Sequence, residues 1–284
     1  MSLGEILILW ISGYITVRFL GVWYTTIVTA WPSDRARFSK ITFAFLPAAA
    51  LMIIAYTLKE SASFDVEGIY ILLYILFGIA WIGLGMRCIF TCFDLSWQDD
   101  ALHGSNAAAA AALTGGFLGM TLIYSGANIG DGPGWWCVLF AGGLGTAAWF
   151  LAGYLLHLLS DVFERITIER NIGCGIRIGF YFAASGILLG RASAGDWTSF
   201  SQTVVEFMDG WPLLLLLILV ILVERYYIYK EKKGHNGAIS GSVFWGLLYL
   251  GIAVITVLWI LQPPAENPVY VSAAGLCNYE EFLF

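Results

Sequence analysis

The sequence predicts an all-α, polytopic integral membrane protein of eight transmembrane helices, built from four parallel tandem two-helix repeats. Three observations lead there. Hydrophobic residues make up 59% of the 284-residue chain and charged ones only 12%, about half the charge of an ordinary soluble domain. The mean hydropathy is +0.79, and the apolar residues gather in runs of about 20, the length that crosses a bilayer. Polar and small landmarks recur at a step of 65 residues, as from Asn106 to Asn171 to Asn236.

Taken in order, the first span is Ile6–Ala30. It has no basic leader and no small-residue cleavage site before further spans follow, so it reads as retained and not as a signal peptide. Arg18 lies near its middle. Span two, Ile41–Leu58, carries Pro47 in its interior, and span three, Gly68–Phe93, contains Cys88 and Cys92 on one helical face. Two thiols without a matching His or Cys pair are a poor ligand set, so no metal and no cofactor are expected. Span four, Asn106–Ala127, opens on Asn106 and an alanine run. Ala108, Ala112 and Gly116, then Gly115 and Gly119, follow at four-residue spacing. Lipid offers little hydrophobic drive between helices, so such small faces serve close packing; the other reading is a glycine-lined permeation route.

Span five, Trp135–Leu159, holds His157 near its inner end. Span six, Asn171–Ala192, repeats the pattern of span four with Asn171, Gly175 and Gly179. The stretch DWTSFSQTVVEFMDG, residues 196–210, is too polar to cross and reads as an amphipathic surface helix. Spans seven, Trp211–Tyr229, and eight, Ser242–Leu261, are the clearest by hydropathy. Residues 1–261 thus form one transmembrane domain with units near 1–65, 66–130, 131–195 and 196–261, and the proline-bearing tail 262–284 leaves the membrane.

Orientation follows from the basic residues. The loops after odd-numbered spans, with their flanks, hold eleven of the fourteen: Arg35, Arg37, Lys40, Arg87, Arg165, Arg170, Arg177, Arg225, Lys230, Lys232 and Lys233. The positive-inside rule makes these loops cytoplasmic and leaves both termini outside. The net charge of -6 gives no support for a nucleic-acid partner; the expected partners are membrane lipids, other membrane subunits or a second copy.

The repeat extends beyond the asparagines. Gly13, Gly78 and Gly143 keep the step, as do Gly130–Asp131 and Gly195–Asp196 on the outer side. The first unit diverges most, with Ile41 in the Asn register. The segments GSNAAAAAALTGGFLGMTLIYSGANIGD and ERNIGCGIRIGFYFAASGILLG resemble the repeated core of the bacterial inner-membrane family of unknown function numbered 350, best over Phe77–Ala194. In that family a Gly-Asn pair precedes a glycine-rich helix and the unit is duplicated. Here Ser105 and Arg170 stand at the glycine position. The resemblance implies an integral inner-membrane protein and supplies no catalytic residue.

The candidate polar or pore-lining residues are Arg18, Asn106, Asn171, Arg177 and Asn236, and the outer-loop acidic ones are Asp131 and Asp196. Each Asn suits an N-cap, where its side chain accepts from an unpaired amide of the first turn; lining a shared mouth or clamping neighbouring hairpins is the alternative. Arg18 would be costly facing lipid and must snorkel, pair or face a wet interior. Arg177 is near enough to the inner end of its span to snorkel to the interface; a functional or inter-helix polar contact is the alternative for both arginines. Asp131 and Asp196 read as turn residues beside glycines or as a cation-attracting ring. No nucleophile elbow or acid–base pair stands out, so no enzyme is expected. Two functions remain: transport or conduction of a small solute or ion, favoured on architecture, and a non-catalytic structural or regulatory subunit.

Overall fold

The computed structural model describes residues 1–30, 37–63, 66–233 and 238–261. Among them ten α-helices follow one another: α1 (Leu3–Thr29), α2 (Arg37–Glu60), α3 (Ile69–Phe93), α4 (Ala107–Gly126), α5 (Trp135–Ser160), α6 (Val162–Thr167), α7 (Ile172–Ala192), α8 (Phe200–Phe207), α9 (Pro212–Lys232) and α10 (Ile239–Ile255). All but α6 belong to the eight stretches long and apolar enough to cross a membrane, α8 and α9 together making up one of them, Phe200–Lys232, and each sequence-derived span falls on one of the eight. The chain is therefore an all-α, multi-pass membrane protein.

Local chemistry sets the ends. Ser2 caps α1 and Glu5 returns a bond to the Ser2 amide, a reciprocal pair that satisfies two first-turn donors. Pro212 begins α9, where its missing N–H costs nothing. α3 and α5 both stop at an aspartate in the left-handed conformation, Asp94 and Asp161, each with φ 49°. The connectors that follow are helical rather than plain loops, a π-helix over Trp97–His103 and the short α6. α8 has no buried residue and packs on α5, matching the amphipathic segment expected between spans six and seven.

The helices stand in two rows. In one, α1 packs on α3, α3 on α5 and α5 on α9; in the other, α2 packs on α4, α4 on α7 and α7 on α10. Neighbours within a row run in the same direction. Glu5 meets Tyr70 and Phe19 meets Gly83 along α1 and α3, while Ala108 meets Gly175 and Gly126 meets Gly190 along α4 and α7. Burial decreases from the centre outward: 72% of the apolar stretch is buried in α4 and 67% in α7, against 17% for α1.

The α4–α7 seam is where the small residues act. A side chain on Gly115 would overlap the Gly179 carbonyl, and one on Gly126 would overlap that of Gly190. With no side chain between them the backbones touch, which maximises the dispersion contact that membrane helices rely on. Large aromatics fill the flanks, and three of them donate to backbone carbonyls. The indole of Trp149 donates to the Phe182 carbonyl at 3.1 Å, that of Trp23 to Phe43 at 2.9 Å, and the Tyr124 hydroxyl to Tyr74 at 2.6 Å.

Candidate functional site

The most highly charged buried cluster joins α6, α7, α9 and α10. Arg177, one turn and a half into α7, is 1% exposed, and Glu224 in α9 is fully buried. The Arg177 guanidinium donates from Nε to Glu224 Oε1 at 2.5 Å and from Nη2 to Oε2 at 2.7 Å. Its remaining Nη1 donates to Ser242 Oγ of α10 at 2.7 Å, and its plane lies 3.8 Å over the Tyr227 ring. Arg165 of α6 reaches the same carboxylate, Nη1 to Glu224 Oε2 at 2.8 Å, and donates from Nη2 to Glu231 Oε2 at 2.9 Å. Asn171 closes the chain of bonds, its Nδ2 donating to Glu231 Oε1 at 2.9 Å.

Within the hydrogen-bonded cluster two arginines face Glu224 and Glu231, and the exposed Glu169 adds a looser contact to Arg165 at 3.9 Å. Fork-shaped guanidinium donors meet both carboxylate oxygens, the strong geometry for such a pair. Arginine does not release its proton in proteins, and both oxygens of Glu224 are engaged. The arrangement therefore ties three helices and a connector together.

Of the two readings of Arg177, the geometry matches the inter-helix polar contact and not the snorkel to the interface: it turns inward, because Glu224 supplies a two-point partner one helix away. Arg165, grouped with the cytoplasmic loops by sequence, is likewise buried, at 4% exposure. Arg18 lies exposed on α1 and has no hydrogen bond or ion pair with any described residue. Among the described residues neither pairing nor a wet interior accounts for it, because α1 ends its row and only one of its sides is covered. Asn236 lies outside the described residues.

Asn106 and Asn171 are N-caps. Asn106 Oδ1 accepts from the Ala108 and Ala109 amides at 3.0 and 3.3 Å, and Asn171 Oδ1 accepts from Cys174 at 3.0 Å. Each also reaches forward by 60 residues with Nδ2, Asn106 to the Ile166 carbonyl at 2.7 Å and Asn171 to Glu231. The preceding residues, Ser105 and Arg170, hold φ of 51° and 52°. That is the left-handed region most easily taken by glycine, which explains the glycine of the resembling pattern.

On the opposite side the turns after α4 and α7 clasp one another. Asp196 Oδ1 accepts from the Asp131 amide at 2.7 Å, the Trp197 amide donates to the Asp131 carbonyl at 2.7 Å, and Gly195 donates to Ile129 at 2.9 Å. Asp131 and Asp196 are thus brought together, with Asp196 holding the neighbouring turn. They border a cavity of about 50 Å³, shared with Asn128, Ser193 and Glu206, room for a few waters. A larger groove of about 470 Å³ between α5 and α8 is open and lined by Trp136, Leu139, Phe140 and Phe200.

Glu224, Glu231 and Ser242 were missed by sequence reasoning. A signal existed: Glu224, Tyr227 and Glu231 are spaced three and four apart and so share one helical face. Glu224 also ends the longest apolar run, and Ser242 stands one repeat step after Arg177.

Two rows of long apolar helices around an internally neutralised charge cluster define a polytopic α-helical membrane protein. Residues 63–193, the stretch from α3 through α7 and slightly less than half the chain, match the family model described as Domain of Unknown Function (DUF350). Comparison with curated proteins and with solved structures yields no match.

Proposed function

We propose that the chain is a non-catalytic, non-conducting membrane subunit of the bacterial inner membrane. Four parallel two-helix units of about 65 residues form a rigid block with both termini outside the cytoplasm. The observation that carries this reading is the closed α4–α7 seam, where backbone meets backbone, and Asn106, Asn171 and Arg177 are bonded to protein instead of lining a path. Asn106 is 3% exposed and Arg177 1%; channel selectivity needs such groups free to meet an ion.

Repetition is supported by bonds that recur one unit apart. The Asn106 amide donates to Asp100 and the Asn171 amide to Arg165, each to a carbonyl six residues back, at 3.0 and 2.9 Å. Pairs separated by 65 residues meet directly: Glu5 with Tyr70, Asp131 with Asp196, and Arg177 with Ser242.

The test is a flux assay on purified protein in liposomes across monovalent and divalent cations, anions, amino acids and polyamines. The expected result is leakage equal to that of empty vesicles. Flux that rises with protein and is altered by Arg177→Met would overturn the reading in favour of transport.

A further inference from the structure

Arg18 is a charge near the middle of a long helix for which the described residues supply no partner. From Arg18 to the nearer end of α1, Thr29, the helix rises about 16 Å. A guanidinium on its three methylenes covers about half of that, so lipid phosphates at the interface are out of reach. A bare arginine at this depth is costly, and such residues pair or face water. Arg18 is exposed without a partner among the described residues, on a face it shares with exposed Trp10, Tyr14 and Gly21. A side chain at Gly21 would meet nothing within 4 Å, so another backbone can approach closely beside the charge.

A second copy of the chain cannot supply the counter-ion from its described residues. The acidic residues within its long helices are Glu5 and Glu60 at helix ends, Glu224, which is fully buried and paired, and Glu231 near the end of α9, also paired. We propose that the Arg18 face of α1 docks a transmembrane helix of a different chain that carries an aspartate or glutamate at mid-membrane depth. This rests on reading the protein as an assembly subunit. The carboxylate neutralises the guanidinium, the aromatic rings of Trp10 and Tyr14 pack along the incoming helix, and Gly21 allows the close crossing.

The test uses full-length protein in phosphatidylcholine vesicles and dansyl-labelled, lysine-flanked polyleucine peptides with leucine, aspartate or lysine at the centre, read by tryptophan-to-dansyl energy transfer. The aspartate peptide is expected to bind at least tenfold more tightly than the leucine peptide. Arg18→Leu should abolish that preference, and Arg18→Asp should transfer it to the lysine peptide. Circular dichroism checks that the variants fold; if Arg18→Leu does not, the Arg18→Asp exchange decides. Equal binding of the aspartate and leucine peptides, or a preference that survives Arg18→Leu, overturns the proposal. So does Arg18-dependent transfer between labelled copies without peptide, which makes a second copy the partner, and so does loss of the preference in phosphatidylglycerol vesicles, which makes lipid phosphate the anion. Solute flux through the protein alone would refute the subunit reading without touching peptide binding, so the two failures are distinguishable.

Discussion

Replacing Glu224 by methionine should be the most destabilising single change in the charged cluster. The side chain is fully buried and accepts from two guanidinium groups, two bonds from Arg177 and one from Arg165. Without it Arg177 keeps only Ser242 and the Tyr227 ring, while Arg165 keeps Glu231. Removing one partner of a buried pair costs about 3–5 kcal/mol because the other charge is left uncompensated, roughly two to four powers of ten in the unfolding equilibrium. Arg177→Met should fall toward the lower end of that range, since Glu224 retains Arg165. The double variant Arg177→Met/Glu224→Met removes both charges, so it should cost about 1–3 kcal/mol less than the sum of the singles. The measurement is dodecyl sulfate titration in mixed micelles, followed by circular dichroism. A Glu224→Met change of less than about 1 kcal/mol, or strictly additive singles, would refute the idea that this pair locks α7 to α9.

Gly115→Val should abolish stable folding or force α4 from α7, because the new methyls enter space held by the Gly179 backbone; engineered cysteines across the seam should then lose their cross-linking. Asn106→Ala should cost about 1–2 kcal/mol as a lost cap, with the Ile166 carbonyl losing its donor as well, and Asn106→Asp should recover the cap but not that second bond, both read in the same titration. Burial holds the Asp100 carboxyl above its usual range, against the opposing Ser96 amide and with Asp94, Asp99 and Arg170 nearby. An acid raised in the folded state contributes stability below about pH 3.9 that is lost as pH rises through the folded value. Wild type should therefore lose stability relative to Asp100→Asn as pH rises from that point, measured as paired thermal midpoints.

Which segments cross the membrane was legible in the sequence. Most span ends agree with a helix end to within a few residues; α9 runs on past Tyr229 to Lys232, and the last span reaches its end through a π-helical turn, Thr256–Ile260, that follows α10. Asn106 and Asn171 were also legible as caps, since a cap depends on the residue and the first turn that follows it. Residues one 65-residue step apart meet in the fold, as Arg177 does with Ser242, a contact that the repeat in the sequence did not by itself reveal.

The two arginines mark the limit. By depth alone Arg18 is the one that needs shelter and Arg177 the one that can reach the interface, yet Arg18 is exposed and Arg177 is buried. Hydropathy and capping are local and along the chain, so the sequence by itself determined the membrane class, the order of helices and their ends. Which way a side chain points around a helix axis depends on what covers that face. Only the packing of α7 against α9 and α10, and the bare end of the row at α1, decided that one charge was neutralised within the chain and the other left exposed.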